Sequence, residues 1–269
     1  MNVDRAKCGV SVCVSSVMSA ALPWVTKKIL TFVFSQMGRA KNPAHLIFLS
    51  PFYTGFGKQR DMDIGAYIFV VVISYLLGAT PSGYLAGMAC GMDVRSAGSG
   101  NIGATNVLRV LGKKAGAIVL AADALKGFVS ARWIPLLAMH LFPSAGASRE
   151  NLALAGGVAA ILGHIYTFWL WFKGGKGIAT SGGVVLAWAP AACLTALALW
   201  GLVLALSRYV SLASIAAAII LPFAVWFWNG TAAMTGVMTG LSLLALYKHK
   251  ANIQRLLTGA ESRIGKRET

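Results

Sequence analysis

The stretch MDIGAYIFVVVISYLLG, residues 62–78, decides the fold that we predict for this chain of 269 residues. It is an almost unbroken apolar run, and further runs of the same kind follow it. A helix needs about 20 such residues to cross the roughly 30 Å hydrocarbon layer of a bilayer. The composition agrees, with 57% hydrophobic and 12% charged residues and a mean hydropathy of +0.69. We therefore expect an all-α, polytopic membrane protein.

Apolar segments after Met62 predict about seven transmembrane helices. Pro190 separates the fourth segment from the fifth, because proline interrupts a helix. A single long, kinked helix at this point is the alternative, and it would leave six spans. The predicted spans lie near residues 64–89, 115–139, 151–171, 178–189, 190–206, 209–228 and 231–247.

Basic residues between the spans predict the orientation. With seven spans, 13 of them fall on one side, whereas the opposite connections contribute only Arg149. Loops rich in Lys and Arg stay in the cytoplasm, so the core begins outside and the C-terminus lies inside. Six spans would put the basic tail on the wrong side. The 13 residues are Arg95, Arg109, Lys113, Lys114, Lys173, Lys176, Arg208, Lys248, Lys250, Arg255, Arg263, Lys266 and Arg267.

Residues 1–61 differ in composition from the rest of the chain. They carry eight basic residues, which the predicted orientation would place outside. Residues 8–25 resemble a weak signal-like or amphipathic segment and are too polar for a span. Either a wrongly assigned upstream start codon or a genuine N-terminal extension would explain this segment. We therefore treat residues 62–269 as the membrane-embedded domain and residues 1–61 as a separate N-terminal extension.

Several classes of function lose their main support. The four cysteines have no CxxC pair and no metal-ligand spacing, which predicts free thiols and no metal site. No histidine is followed five positions later by aspartate, so the HxxxxD dyad of common glycerolipid acyltransferases is absent. The chain has no GxSxG motif, no aspartate-rich cluster and no Walker A spacing. The net charge of +16 indicates cytoplasmic loops and anionic lipid headgroups, not nucleic acid.

A polar cluster follows the first span in RSAGSGNIGATNVLRVLGKK, residues 95–114. Its glycines let the backbone approach an anion and turn N–H groups toward it. Its polar side chains add neutral donors, and Arg109 adds a planar fork suited to phosphate. A loose interfacial loop with snorkelling basic residues is the competing interpretation. The residues concerned are Gly98, Ser99, Gly100, Asn101, Gly103, Thr105, Asn106 and Arg109.

A second cluster, KGGKGIAT, lies at residues 173–180 in front of the fourth span. Glycines with Lys176 at the start of a helix predict a phosphate site through amide dipoles and a point charge. The fragments GNIGAT and GKGIAT share a Gly-x-x-x-Ala-Thr frame, which suggests two related anion sites.

A third cluster lies in the tail, YKHKANIQRLLTGAESRIG, residues 247–265. His249 and Asn252 are three residues apart and so share one helix face. The pattern does not decide whether His249 is a solvated surface residue or a functional one.

Two ionisable residues lie inside the second predicted span. Asp123 and Lys126 are three residues apart and can pair. Charges inside a membrane are expensive and often functional, although a neutral pair that pins helices together is equally consistent with the pattern. We interpret His164 as a hydrogen-bonded packing residue.

Four motifs together resemble the bacterial acyl-phosphate:glycerol-3-phosphate acyltransferases, the PlsY family. They are GSGNIGATNVLRVLG, GHIYTFWLWFKGGKGIATSGGV, RYVSLASI and HKANIQRLLTGAESRIG. The resemblance covers about residues 62–265 in order and spacing, and that family also lacks the HxxxxD dyad. Nothing in the family corresponds to residues 1–61.

The resemblance implies transfer of an acyl group from acyl phosphate to the 1-hydroxyl of sn-glycerol 3-phosphate, without a cofactor, in phospholipid biosynthesis. It implies a bacterial inner-membrane enzyme with its site on the cytoplasmic side and a functional link to the enzyme that makes acyl phosphate. The residues expected to be catalytic are Ser99, Arg109, Lys176, His249 and Asn252. Those expected to bind substrate are Gly100, Asn101, Gly103, Thr105, Asn106, Gly174, Gly175, Gly177, Thr180 and Glu261.

Two other functions fit part of the pattern. A transporter for an organic phosphate would suit glycine-interrupted helices and the intramembrane Asp123 and Lys126, but the polar loops lie at one interface and no inverted repeat is evident. A lipid-binding scaffold without activity predicts that Arg109 and Lys176 can be replaced by Gln without loss of function.

Overall fold

The structure, a computed structural model, describes residues 44–229 and 231–264. The chain divides into two compact units, Met1–Gly57 and Lys58–Thr269. Residues 1–43, the larger part of the segment that we predict to be an extension, lie outside the described residues, and that prediction stays open. All sites discussed below belong to the second unit.

Helices and short connections make up the described residues, which contain no strand. This agrees with the predicted all-α class. The helices are α1 (Ala44–Ala79), α2 (Ser82–Ala89), α3 (Ala104–Leu111), α4 (Lys113–Leu141), α5 (Arg149–Ile165), α6 (Ile178–Trp188), α7 (Pro190–Ser207), α8 (Val210–Asn229), α9 (Ala232–Lys248) and α10 (Lys250–Leu257), with short 3₁₀ turns at Val94–Ser96 and Phe168–Leu170.

Four helical stretches in the described residues are long and apolar enough to cross a membrane: Asp61–Ala89, Arg149–Leu170, Pro190–Ser207 and Val210–Trp228. The helices α6 and α9 are also apolar but shorter. The helix α4 is 29 residues long, which exceeds the length needed for a span. Several crossings are therefore supported, whereas the number seven and the orientation stay predictions.

The first and third predicted spans coincide with the apolar stretches Asp61–Ala89 and Arg149–Leu170, but the helix is interrupted within each. The first is broken, because α1 ends at Ala79 and α2 begins at Ser82. The third ends early at Ile165, and the chain then turns through Trp171 and Phe172, whose φ values of 52° and 61° are left-handed. Neither break was predicted: the first falls at Thr80 and Pro81, a proline signal passed over within a long apolar segment, and the second lies among aromatic residues.

The choice between one kinked helix and two helices at Pro190 is settled by a contact. The helix α6 ends at Trp188 and α7 begins at Pro190. The Cys193 thiol then approaches the Gly182 carbonyl oxygen at 3.5 Å. Because these residues are eleven positions apart, they meet only where the chain folds back on itself. The two segments are separate helices, as predicted.

Small residues bring α4 and α6 into close contact. A Cβ atom at Gly183 would lie 1.8 Å from the Ala124 carbonyl oxygen, and one at Gly127 would lie 2.2 Å from the Thr180 carbonyl oxygen. Such close backbone approach is a common basis of helix association in membranes. It fixes the start of α6, and with it the KGGKGIAT segment, against the middle of α4.

Candidate active site

A cavity of about 440 Å³ brings all three polar clusters together. Its polar end is formed by the loop before α3, the residues before α6 and the tail around α10. Helices α6 to α9 line the rest with mainly apolar side chains. The predicted residues that line it are Ser99, Asn101, Gly103, Thr105, Asn106, Arg109, Lys176, Gly177, His249, Asn252 and Glu261.

Asn106 organises the first loop. Its side-chain amide donates to the carbonyl oxygens of Val94 at 2.9 Å and Ala97 at 3.1 Å. Its Oδ1 accepts the N–H of Ser99 at 2.7 Å. These bonds use the hydrogen-bonding groups of a side chain that is only 2% exposed. Asn106 therefore shapes the loop and holds Ser99 at the cavity, in addition to lining it.

The second loop is built on the end of α5. The N–H groups of Gly174 and Gly175 donate to the carbonyl oxygens of Ile165 and His164, both at 3.1 Å. These bonds satisfy two carbonyls that the end of a helix would otherwise leave without partners. A Cβ at Gly174 would lie 2.0 Å from the His164 oxygen. This geometry does not support the prediction that these two amides hold phosphate.

The start of α6 provides the N–H groups that remain for an anion. Gly177 is the residue before the first turn, with a left-handed φ of 83°, and both Gly177 and Ile178 line the cavity. The first N–H groups of a helix have no acceptor within the helix and carry the positive end of its dipole. With Lys176 beside them, they form an electropositive wall.

The tail is connected to this wall through a chain of polar contacts. Lys176 donates from Nζ to Asn252 Oδ1. Asn252 donates from Nδ2 to Glu261 Oε1 at 2.8 Å, and Arg255 donates from Nε to Glu261 Oε2 at 2.7 Å. Asn252 and Glu261 are buried. The amide and carboxylate therefore fix the position of the Lys176 ammonium group.

Arg109 lies on α3 at the edge of the cavity and contacts the last described segment of the chain. Its guanidinium donates to the Ser262 carbonyl oxygen at 3.2 Å. Ile264 then donates its N–H to the Arg208 carbonyl oxygen at 2.9 Å. The C-terminal residues thus run past the polar end of the cavity, and Arg109, itself exposed, keeps further donors available for an anion.

Burial and neighbouring charges change the protonation of the polar end. Burial, with the nearby Arg255 and Arg109, lowers the pKa of Lys176 to about 8 despite the attraction of Glu261. Burial also lowers the pKa of His249 to about 4. Burial alone would raise the pKa of Glu261. Hydrogen bonds to its carboxylate, of which the bond from Asn252 has the largest effect, hold this pKa below the usual value. At neutral pH the site therefore has a mostly charged lysine beside a neutral histidine.

His249 has a defined ring orientation. Its Nδ1 lies 2.8 Å from the Ala245 carbonyl oxygen. Since a carbonyl only accepts, the neutral ring carries its proton on Nδ1 and leaves Nε2 as an acceptor. The side chain is 3% exposed and belongs to a residue that lines the cavity.

Four predicted residues do not line the cavity: Gly100, Gly174, Gly175 and Thr180. Gly100 forms a tight turn, with φ at 67°. Thr180 is fully buried, and its backbone packs against Gly127. These positions support the loops from behind, and their contribution to substrate binding stays a prediction.

Sequence patterns missed the apolar wall of the cavity and two polar residues in it. Asp123 and His164 both line the cavity, although we had not included them in the site. On α8 the wall runs from Ser211 through Ser214 to Leu221. The spacing of these residues is helical, but every face of α8 is apolar or small, so the pattern did not mark one face as different. No group of three or more potential metal ligands occurs among the described residues.

Comparison with known proteins gives the family. The family model "Glycerol-3-phosphate acyltransferase" matches residues 68–259. The chain belongs to the glycerol-3-phosphate acyltransferase family. A family member from Geotalea daltonii is 43% identical over 196 residues, covering 72% of this chain and 96% of its own length. One from Brucella suis is 42% identical over 210 residues, covering 78% and 96%.

Solved structures within the same family agree. The crystal structure of PlsY (YgiH), an integral membrane glycerol 3-phosphate acyltransferase, in its glycerol 3-phosphate form is 39% identical, with a TM-score of 0.66 over 74% of this chain and 96% of that one. The lysophosphatidic acid form is 38% identical, with a TM-score of 0.64 over 74% and 95%. The resemblance to the PlsY family is thus confirmed, and this family member is a multi-pass membrane protein.

Proposed function

We propose that the protein transfers an acyl group from acyl phosphate to the 1-hydroxyl of glycerol 3-phosphate and releases lysophosphatidic acid and inorganic phosphate. One observation carries this proposal. The polar end of a single cavity joins Arg109, Lys176 and the start of α6, and an apolar wall continues from it. Both reactants carry phosphate and one carries a long apolar chain, so the cavity matches their combined chemistry.

Electropositive groups would align the two phosphates. Arg109 offers a planar fork, Lys176 a point charge and the start of α6 its N–H groups. The hydroxyl oxygen attacks the acyl carbonyl carbon, the bond from that carbon to the phosphate oxygen breaks, and the hydroxyl proton leaves with the released phosphate. Because acyl phosphate is an activated mixed anhydride, the protein has mainly to position the reactants and stabilise developing charge.

The proton can leave the hydroxyl by two routes. One acceptor is the neutral His249, through Nε2, and the other is an oxygen of acyl phosphate itself. The pKa of about 4 makes His249 a weak base, because an efficient general base has a pKa near the working pH. We therefore favour the substrate oxygen. His249→Ala should then retain substantial turnover with an unchanged pH profile, and near-complete loss with intact binding would assign the proton to His249.

The apolar wall provides space for the acyl chain. Cavity-lining residues on α8 extend from Ser211 to Leu221, which is about 15 Å along a helix at 1.5 Å per residue. Trp200 on α7 donates from Nε1 to Ser214 Oγ at 3.3 Å and ties the two walls together. The site would therefore take a lipid-soluble donor from the membrane and a soluble acceptor from the cytoplasm.

An assay of donors tests the proposal. Purified protein in detergent or lipid receives radiolabelled glycerol 3-phosphate with either acyl phosphate or acyl-coenzyme A. We expect radioactive lysophosphatidic acid and released phosphate with acyl phosphate only, which places the protein downstream of an enzyme that makes acyl phosphate. Formation of product with acyl-coenzyme A and none with acyl phosphate would contradict the proposed donor.

Variants separate this enzyme from a carrier and from a scaffold. Arg109→Gln and Lys176→Gln should each lower kcat/KM by about a hundredfold or more, as removal of a single oxyanion-stabilising donor does. Lys114→Gln is the matched control, because Lys114 is exposed and does not line the cavity. Lipid binding that both substitutions leave unchanged, in a protein whose wild type forms no product, would favour the scaffold. Uptake of label without product would favour the carrier.

A further inference from the structure

A buried polar cluster of Asp123, Lys126 and His164 adjoins the second loop. Asp123 pairs with Lys126 at 2.9 Å. His164 turns its Nδ1 toward the same carboxylate oxygen of Asp123, at 3.6 Å. All three side chains are at most 5% exposed. The mechanism above uses none of them, although Asp123 and His164 line the cavity.

Lys126 is satisfied on its other side by the break between α1 and α2. Its Nζ donates to the Thr80 carbonyl oxygen at 2.9 Å. The lysine thus neutralises Asp123 and ties α4 to the end of α1. The pair pins helices together, which was one of the two interpretations that the sequence left open. It also gives the carboxylate a fixed position from which to face His164.

The opposite edge of the His164 ring supports the second loop. A Cβ added at Gly175 would lie 2.1 Å from His164 Nε2 and 2.8 Å from Cε1. The backbone of Gly175 therefore rests directly on this edge. The N–H of Gly175 also donates to the carbonyl oxygen of His164 at 3.1 Å. His164 thus contacts Gly175, the residue before Lys176, with both the carbonyl oxygen and the ring of His164.

We propose that His164 is a positioning residue for the phosphate-binding loop of residues 173–177, and that Asp123 orients its ring. The inference rests on the proposed function and takes glycerol 3-phosphate, not acyl phosphate, as the reactant held at Lys176 and the start of α6. The imidazole edge sets the distance of Gly175 from α5, and hence the position of the Lys176 ammonium and of the start of α6. Because small displacements of a binding group are costly, changing the ring should weaken capture of glycerol 3-phosphate specifically.

The test removes side-chain volume at His164 and adds side-chain volume at Gly175. His164→Ala removes the supporting edge, and Gly175→Ala pushes against it. The double variant His164→Ala/Gly175→Ala replaces part of the lost volume. The quantities to measure are the KM for each substrate, kcat, and the Kd for radiolabelled glycerol 3-phosphate without acyl donor. Matched controls are His140→Ala, at an exposed histidine, and Gly236→Ala, where a Cβ meets no atom within 4 Å.

We expect each single variant to raise the KM and Kd for glycerol 3-phosphate about tenfold, by loss of loop position, with less than about twofold change in the KM for acyl phosphate. The double variant should be at least about threefold better than the product of the single effects, since residues in contact are not additive. Should His164→Ala not fold, His164→Asn keeps a nitrogen facing Asp123 and lacks the Nε2 edge.

Three results would overturn the inference: a KM and Kd for glycerol 3-phosphate within about twofold of wild type, an equal rise in both KM values, or effects that simply multiply in the double variant. Failure of the proposed function looks different. In that case the wild-type protein itself does not form lysophosphatidic acid from acyl phosphate, while the Kd for glycerol 3-phosphate still tests His164.

Discussion

Lys176 donates a hydrogen bond from Nζ to Oδ1 of Asn252 and so joins the loop before α6 to the helix that follows α9. These residues are 76 positions apart in the chain. Asn252 in turn donates to Glu261. The position of the ammonium group is therefore set by residues of the C-terminal tail, which makes the tail a part of the proposed phosphate site.

Replacing Asn252 tests this connection. Asn252→Ala removes the acceptor of Lys176 and leaves Glu261 with one donor fewer, so we expect the KM for glycerol 3-phosphate to rise about tenfold, the effect of losing a hydrogen bond to a charged group. Steady-state kinetics with each substrate varied in turn would measure it. Exposed Gln254, two residues away, is the control as Gln254→Ala. Equal KM values in both variants would show that Lys176 needs no partner in the tail.

The activity should depend on pH through Lys176. Its pKa is lowered from 10.5 to about 8, so the free enzyme loses this positive charge as pH rises through about 8. We expect kcat/KM for glycerol 3-phosphate to fall above that pH, since kcat/KM reports ionisations of the free enzyme. In Lys176→Arg any remaining activity should lack this fall, because guanidinium keeps its proton. A profile that is flat to pH 10 in the wild type would contradict the assignment.

Two charged neighbours should move this alkaline fall in opposite directions. Glu261 raises the pKa of Lys176 and Arg255 lowers it. Glu261→Gln should therefore shift the fall to lower pH, and Arg255→Gln should shift it to higher pH. Recording kcat/KM for glycerol 3-phosphate from pH 6 to 10 would measure both shifts. Shifts of the same sign in the two variants would mean that lost hydrogen bonds, not charge, control Lys176.

Close packing of α4 on α6 predicts a difference between neighbouring glycines. Gly183→Ala forces a Cβ to within 1.8 Å of the Ala124 carbonyl oxygen, so we expect a loss of about 1–3 kcal/mol in unfolding free energy, typical of overpacking. At Gly182 a Cβ meets no atom within 4 Å, and Gly182→Ala should be neutral or stabilising because alanine favours helix. Thermal unfolding in detergent would compare them. Equal melting temperatures would argue against this helix contact.

The predicted orientation can be tested by labelling. In a background without the four natural cysteines, single cysteines replace Lys114, Lys250 and Arg149, all exposed. An impermeant maleimide added outside sealed, right-side-out vesicles should label only the cysteine at position 149, because Lys- and Arg-rich loops stay inside. Label at position 114 or 250 from outside would reverse or break the predicted topology.

The sequence predicted much of this architecture because its signals are local. Apolar length marks the spans, and the proline at position 190 marks a turn that the Cys193 contact bears out. The glycine and basic clusters pointed to three segments whose members meet at one cavity. In contrast, the turn at Trp171 and Phe172 carries only aromatic residues, and no local pattern distinguishes it from the end of a helix.

What the sequence did not predict depends on contacts between distant residues. Spacing made Gly174 and Gly175 resemble an anion nest, but the carbonyls of α5 use their N–H groups. His164 packs against Gly175 and faces Asp123 of α4, and spacing along the chain reveals neither contact. All faces of α8 carry apolar or small residues, so the composition of this helix could not show which face lines the cavity. Each case needs the packing of helices that are far apart in sequence.

The contact between Arg109 and Ser262 spans 153 positions and has a consequence for biogenesis. In the proposed site, Arg109 emerges from the ribosome with α3, whereas His249, Asn252 and Glu261 follow only after α9. Nascent chains already inserted in the membrane would therefore lack part of the proposed site until these residues are made. Premature termination after α9 would leave a bundle that is anchored in the bilayer yet missing the tail residues of that site.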